Sequence, residues 1–298
     1  MPKNFAPHLA ESIANMRFTS SALDDIERVK IAQENRLRSL TRSEPDEDNI
    51  VRGLGLPDDN PNVIIASATV DSLKAVEKEL VKDLTKQLKK SPFYAFSKDL
   101  RGVGEKQFAR LLTSIGDPFW REEDIINVAD DPITTRDGRV IEPGEISFPA
   151  GSRTISQLWG YAGLANNEDG SIVRRTKGVK SNWNTEAKNR AWLIVESCQK
   201  QLDPECKATS ETAIKEHYED CACSPYRVVI DDRRTDTLVT HPEWTPGHSM
   251  ADAQRIAMRH LLRDMWRFAR DVHVANGLVL NVEGLSPDAR AEYLKLAA

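Results

Sequence analysis

Two long runs of apolar residues at helical spacing constrain the fold of this chain more than any other feature. In residues 20–42, apolar side chains starting with Leu23 recur at every third or fourth position, and charged residues fill the gaps. Residues 70–90 repeat the pattern, starting with Val70, and Pro92 ends it. An acidic loop rich in glycine and proline joins the two runs. We therefore expect a mainly α fold that opens with a long-helix hairpin, or with a coiled coil if two copies pair as a homodimer.

Composition and charge exclude several classes of protein. The net charge of −5 over 298 residues argues against a protein that coats DNA by bulk electrostatics, so any contact with nucleic acid must use local basic patches. The sequence shows neither an apolar run long enough to span a membrane nor a secretory signal, which predicts a cytoplasmic protein, in the host cytoplasm or nucleoid if a phage encodes it. The four cysteines are too few for a disulfide scaffold, which predicts reduced thiols.

The segment Leu100-Arg-Gly-Val-Gly-Glu-Lys-Gln-Phe-Ala-Arg-Leu-Leu112 matches a helix-hairpin-helix motif. Gly102 and Gly104, on either side of Val103, allow positive φ and leave backbone N–H groups uncovered at the start of the second helix, where a phosphate can bind. Lys106 and Arg110 would add positive charge one helical turn apart. The alternative is that the glycines serve only the geometry of a tight turn.

The remaining chain predicts a small β insertion followed by more helices. Turn residues punctuate residues 127–154, where Arg139-Val-Ile and Glu145-Ile-Ser-Phe are the strand candidates. Helical patterning returns in four segments, and one isolated strand is predicted in the C-terminal region. The helical segments are 154–164, 185–202, 210–219 and 249–274, and the strand is 226–230. These elements predict three units: the N-terminal helices (1–91), a helix-hairpin-helix core (92–202) and a C-terminal unit with cysteines, a short strand and a long basic helix (203–298).

Two further basic segments are candidates for phosphate contact. Between positions 174 and 190, six basic residues accompany the single acid Glu186; they are Arg174, Arg175, Lys177, Lys180, Lys188 and Arg190. The last long helix carries four arginines at steps of four residues, namely Arg255, Arg259, Arg263 and Arg267. In each case the alternative is a solvated helix face, with the arginines of the last helix paired to neighbouring aspartates.

Three cysteines and a histidine within eighteen residues could bind zinc. Cys206, His217, Cys221 and Cys223 supply enough thiolate and imidazole ligands for a tetrahedral site. The Cys-x-Cys spacing departs from the usual Cys-x-x-Cys knuckle, and buried reduced cysteines are also ordinary core residues. Zinc is thus a candidate cofactor that the sequence leaves open.

The helix pair, the hairpin motif, Ser156-Gln-Leu-Trp-Gly-Tyr-Ala-Gly-Leu164 and the basic run 174–190 together resemble the C-terminal half of DEDD transposases. These are the insertion-sequence transposases related to the Piv and MooV invertases, some of them guided by a bridge RNA. The resemblance covers about residues 70–200 and does not include the RuvC-like nuclease domain of that family. The segment after Tyr226 is also similar to bacteriophage helix-hairpin-helix DNA-binding proteins.

The resemblance implies DNA binding and leaves catalysis as the alternative. Some members of the family use a serine near this point of the chain, and Ser171 is its positional counterpart, although the surrounding residues differ and no base is evident. The first hypothesis is therefore a DNA-binding protein without catalysis, with RNA as the alternative ligand. The second is a recombinase or transposase component with Ser171 as nucleophile, and the third is a coiled-coil assembly protein.

Overall fold

The chain is mainly helical, as expected. A computed structural model describes residues 7–121, 131–134, 140–143, 151–167, 170–178, 181–208 and 214–276. Within these ranges the helices are α1 Pro7–Thr41, α2 Pro61–Lys90, α3 Tyr94–Ser97, α4 Glu105–Ile115, α5 Ile155–Tyr161, α6 Thr185–Gln199, α7 Pro204–Ala208, α8 Pro225–Thr240 and α9 Pro246–Ala275. The strands there are β1 Trp120–Arg121, β2 Ile133–Thr134, β3 Val140–Ile141 and β4 Gly151–Ser152.

The N-terminal helices α1 and α2 form an antiparallel hairpin within one chain. Lys30 of α1 lies 2.5 Å from Glu77 of α2, and nearer the open end Ser12 hydrogen-bonds Ser91 at 3.0 Å. Both helices begin earlier than the apolar pattern predicted. Asn60 caps α2 through its side chain, and the following proline sits in the first turn, where its missing N–H costs nothing. Leu23, Val70 and Leu84 of these apolar stripes are buried, whereas Val29 and Val76 are 46% exposed.

The helix-hairpin-helix motif consists of one short and one full helix. α3 is a single turn, and residues 98–104 connect it to α4. α4 ends at Gly116, whose φ of +71° lets the chain reverse. The Asp117 carboxylate then accepts hydrogen bonds from the backbone of Phe119 and Trp120 and contacts His273 of α9 at 2.8 Å. The end of α4 is therefore joined to the far end of the last helix.

The predicted β insertion is present in short form. β2 pairs antiparallel with β3, and β1 pairs antiparallel with β4, each over two residues. The predicted strand at 139–141 coincides in part with β3. The second candidate, 145–148, lies outside the described residues.

Two C-terminal predictions are wrong. The predicted strand Tyr226–Ile230 lies in α8, because Ser224 and Pro225 start a helix whose buried face repeats at three and four residues through Tyr226, Ile230 and Thr237. The apolar run 226–230 alone did not distinguish a strand from a helix. The predicted helix at 210–219 is absent from its described part, 214–219, where the side chains of His217 and Tyr218 bond Asp231 and Asp203 respectively.

One hydrophobic core includes residues from all three predicted units. Leu23 and Leu84 of the hairpin, Phe108 of α4, and Ile194 and Leu261 of the C-terminal helices are buried in the same cluster. Among the described helices, none is both long and apolar enough to cross a membrane.

Candidate functional site

The two hairpin glycines have different environments. Gly102 has φ +91°, and a Cβ there would lie 2.6 Å from Cα of Cys198 on α6, so only glycine allows this approach. Gly104 has φ −72° and open space around its Cβ position, and the intervening Val103 is buried. Gly102 therefore serves packing between the turn and α6.

The N-terminus of α4 has an acidic side chain in its first turn. Gly104 provides no side-chain cap, but Glu105 places a carboxylate in the first turn, where it interacts with the helix dipole. Lys89 of α2 lies 3.4 Å from that carboxylate.

The predicted phosphate ligands of the hairpin are instead bound to carboxylates of α1 and α2. Lys106 lies 2.6 Å from Glu27 and 3.1 Å from Glu77. Arg110, whose side chain is only 2% exposed, pairs with Asp24 and with Glu27 at 2.7 Å. Arg190 of α6 also pairs with Asp24. We call Asp24, Glu27, Glu77, Lys106, Arg110 and Arg190 the internal ion cluster. The predicted phosphate contacts of Lys106, Arg110 and Arg190 stay a prediction, and in the structure these three cations pair with internal acids.

Both cations on α4 keep their charge in this cluster. Burial opposes the charge of Lys106, but the carboxylates of Glu27 and Glu77 outweigh it and raise the pKa of Lys106. Burial, followed by the nearby charge of Arg190, lowers the pKa of Arg110 to about 10. Both groups are therefore protonated at neutral pH and act as internal counter-ions.

A second group of cations has a different environment. The Lys188 ammonium donates to the carbonyl oxygen of Gly163 at 2.9 Å, and the Arg259 guanidinium lies 4.0 Å from the ring centroid of Trp159. Arg255 donates to the amide oxygen of Asn166 at 2.9 Å. We call Lys188, Arg255 and Arg259 the α6/α9 basic face.

The acid content of this face is low. Within the described residues, neither Lys188 nor Arg259 forms an ion pair with a carboxylate. Asp252 lies 3.4 Å from Arg255, but it is also bound to Arg233 at 2.6 Å. Nε of Arg255 is buried and has no hydrogen-bond partner among the described atoms. The face thus has three cations and, among its described ion pairs, one acid, Asp252.

Burial and the charge of Arg255 both lower the pKa values of the other two cations. Burial, and next the charge of Arg255, lowers the pKa of Lys188. The same two causes, in the same order, lower the pKa of Arg259. Cations that repel one another in this way are stabilised by a bound anion.

The connection between α5 and α6 supplies further exposed charge next to this face. Asn166 forms an antiparallel bridge with Ile172, so the loop that contains Arg174, Arg175 and Lys177 starts beside the residue that holds Arg255. These three side chains are exposed, whereas Lys180 lies outside the described residues.

The other two arginines of α9 do not belong to this face. Arg263 lies 3.0 Å from Asp264 and also approaches His260, and Arg267 is exposed on the next turn. Steps of four residues rotate by about 40° each around a helix, so the predicted stripe turns away from α6.

Ser171 is exposed and adjoins Ile172, which forms an antiparallel bridge with Asn166. The Asn167 amide nitrogen donates to Ser171 Oγ at 2.8 Å, and backbone hydrogen bonds between Asn167, Gly170 and Ser171 close the turn. A donor to Oγ does not remove its proton, so this contact fits a turn residue and supplies no general base.

The four predicted zinc ligands meet at one point. Sγ of Cys206, Cys221 and Cys223 and a ring nitrogen of His217 all lie within 4.8 Å of one another, and Cys221 Sγ is 3.7 Å from His217 Nδ1. Cys206 and Cys223 are buried, and all three cysteines are reduced. Cys198, the fourth cysteine, lies apart on α6.

The sequence did not predict the acidic partners at two places, the four candidate zinc ligands and the internal ion cluster. Asp231 lies 3.0 Å from His217 Nε2, but assigning its neighbours to a strand hid the helical face that carries it. Asp24 and Glu27 share a face of α1 at a spacing of three residues. Nothing in the sequence tells that the hairpin cations pack against them.

No protein-family model, curated protein or solved structure matches this chain.

Proposed function

We propose that this protein binds the phosphate backbone of a nucleic acid, most readily DNA, through the α6/α9 basic face and the adjoining loop 170–178. One observation supports this function. Lys188, Arg255 and Arg259 form one basic face, and Asp252 is the single acid that pairs with it among the described contacts. This contact surface lies outside the hairpin motif, whose Lys106 and Arg110 pair with carboxylates of α1 and α2.

The chemistry of the face suits backbone contact. Lysine and arginine bind phosphate oxygens without reading bases, and the amide of Asn166 orients the Arg255 guanidinium. Trp192 is 40% exposed one helical turn beyond Lys188, where its ring is available for stacking on a base. Exposed Arg174, Arg175 and Lys177 extend the positive surface.

The role of the hairpin turn in this proposal is architectural. Gly102 brings the turn against α6, and Arg101 donates to the Ala222 carbonyl at 2.5 Å, so the motif positions α6 and the cysteine segment. We propose binding and assign no catalytic step to Ser171, whose Oγ accepts from the Asn167 amide.

The test is fluorescence anisotropy with labelled duplex DNA, single-stranded DNA and structured RNA of equal length across a salt series. We expect affinity to fall steeply with salt, and the double variant Lys188→Gln/Arg259→Gln to bind about tenfold more weakly with a salt slope smaller by about two. Neither substitution leaves a described carboxylate without its ion-pair partner, so the double variant should fold. Circular dichroism checks the folding.

The matched control is Lys78→Gln/Lys82→Gln on the exposed surface of α2, which changes the net charge by the same amount. The control should bind like the unmodified protein. Equal weakening in both double variants would show that only bulk charge matters, and absence of binding to all three ligands would refute the function.

A further inference from the structure

We propose that Cys206, His217, Cys221 and Cys223 bind one zinc ion, which clamps the connection between α6 and α8. This inference is independent of nucleic-acid binding. It rests on the geometry of the four ligand atoms, on the hydrogen bonds around them, and on the place of the cluster in the fold.

The spacing of the ligand atoms suits a tetrahedral zinc ion. With Zn–S bonds of about 2.3 Å, the edge of a zinc–thiolate tetrahedron is about 3.8 Å. Cys221 Sγ and His217 Nδ1 are already 3.7 Å apart, and no pair among the four ligand atoms exceeds 4.8 Å. A shift of about 1 Å or less therefore completes the site.

A buried carboxylate sets the orientation of the histidine. His217 Nε2 lies 3.0 Å from an oxygen of Asp231, whose side chain is fully buried. The carboxylate can only accept, so the proton lies on Nε2 and the lone pair of Nδ1 points toward the sulfurs. Arg227 holds Asp231 in turn, with Nε at 2.5 Å and Nη2 at 3.0 Å. A carboxylate behind a histidine ligand is the usual arrangement in zinc sites.

A backbone hydrogen bond also positions one of the sulfurs, that of Cys223. The N–H of Asp203 donates to Cys223 Sγ at 3.1 Å, a contact that stabilises a thiolate. The Asp203 carboxylate accepts from the backbone of Glu205 and Ala222 and from the Tyr218 hydroxyl. This single residue therefore holds α7 and both ends of the segment 218–223 in place.

The site is structural, because four protein ligands leave no position open for a substrate. It connects α7 and the segment 214–223 to α8 through Asp231, and to the hairpin turn through the bond between Arg101 and the Ala222 carbonyl. Zinc at this point would stabilise a region with little regular secondary structure, as it does in small metal-dependent folds.

The experiment measures metal content and cobalt spectra of the full chain. Protein purified under reducing conditions from zinc-supplemented cells should contain one zinc per chain, and Co²⁺ exchange should give the intense visible bands of tetrahedral thiolate coordination. Chelation should lower Tm by about 10 °C, and added zinc should restore it.

Variants separate the ligands from other cysteines. Cys221→Ser should lose the metal, and Asp231→Asn should keep the ligands but bind zinc about 10- to 100-fold more weakly. Cys198→Ala is the matched control, since Cys198 is a buried cysteine outside the cluster, and it should retain one zinc. Less than a tenth of an equivalent of zinc with no cobalt bands in the unmodified protein would overturn the proposal. A disulfide among Cys206, Cys221 and Cys223 in natively purified protein would also overturn it.

Discussion

The internal ion cluster and the α6/α9 basic face contain similar side chains with opposite roles. Lys106 and Arg110 lie on the helix-hairpin-helix motif, yet each contacts two carboxylates from the N-terminal helices. Lys188 and Arg259 lie outside the motif, and their described partners are a carbonyl group and an aromatic ring. The number of nearby acids, rather than membership of the motif, decides which of these cations are neutralised.

The comparison also explains why an acidic protein can carry a basic surface. Carboxylates of α1 and α2 neutralise Lys106 and Arg110 of α4, and Asp24 of α1 also neutralises Arg190 of α6. Neutral carbonyl, amide and aromatic groups contact the α6/α9 basic face, and Asp252, near Arg255, is the acid among its described ion pairs.

The largest expected effect is on stability, at Arg110. Arg110→Met should lower the free energy of unfolding by about 3 kcal/mol, because it removes the most buried cation that pairs with Asp24 and Glu27, both of them partly buried. Urea denaturation measures the change. A loss below about 1 kcal/mol would mean that solvent or Arg190 satisfies these acids, and that Arg110 is less essential to the cluster than its burial indicates.

The two glycines of the motif provide the next test. Gly102→Ala should cost about 2 kcal/mol of stability, because it combines a strained positive φ with a clash against Cys198. Gly104→Ala, at ordinary φ and with open space, should change stability by less than about 0.5 kcal/mol. Thermal unfolding measures both variants. Similar losses of stability at the two positions would contradict the conclusion that packing requires glycine at 102 and not at 104.

A single-charge comparison tests the two groups of cations directly. Lys106→Gln should leave affinity for DNA within about twofold while lowering stability by about 1 kcal/mol, since it removes internal ion pairs. Lys188→Gln should show the opposite behaviour, weakening binding several-fold with little change in stability. If Lys106→Gln weakened binding as much as Lys188→Gln, the hairpin would have to be restored as a contact surface.

The smallest expected effect is at Asn166. Asn166→Ala removes the hydrogen bond that orients Arg255, and should weaken DNA binding about threefold. Ser171→Ala, in the same hairpin, is the control and should leave affinity unchanged. Recombination activity in the unmodified protein that Ser171→Ala abolished would revive the hypothesis of a serine nucleophile.

Periodicity alone predicted much of the architecture. The apolar repeats of α1, α2, α6 and α9 were visible because a helix buried on one face must repeat at three and four residues. The same rule failed at Tyr226–Ile230, since a short apolar run fits either a strand or a helix. Deciding there required the buried polar residues that continue the face of α8.

The sequence determined the type and spacing of the side chains, whereas the tertiary structure decided the environment of each one. The sequence by itself determined the mainly helical fold, the glycine turn and the zinc-competent set of Cys206, His217, Cys221 and Cys223, because spacing and side-chain type are local properties. Tertiary structure decided which cations are neutralised, that Asp231 stands behind His217, and that Arg255 approaches Lys188. Electrostatic interactions depend on distances between residues far apart in the chain, and packing alone sets those distances.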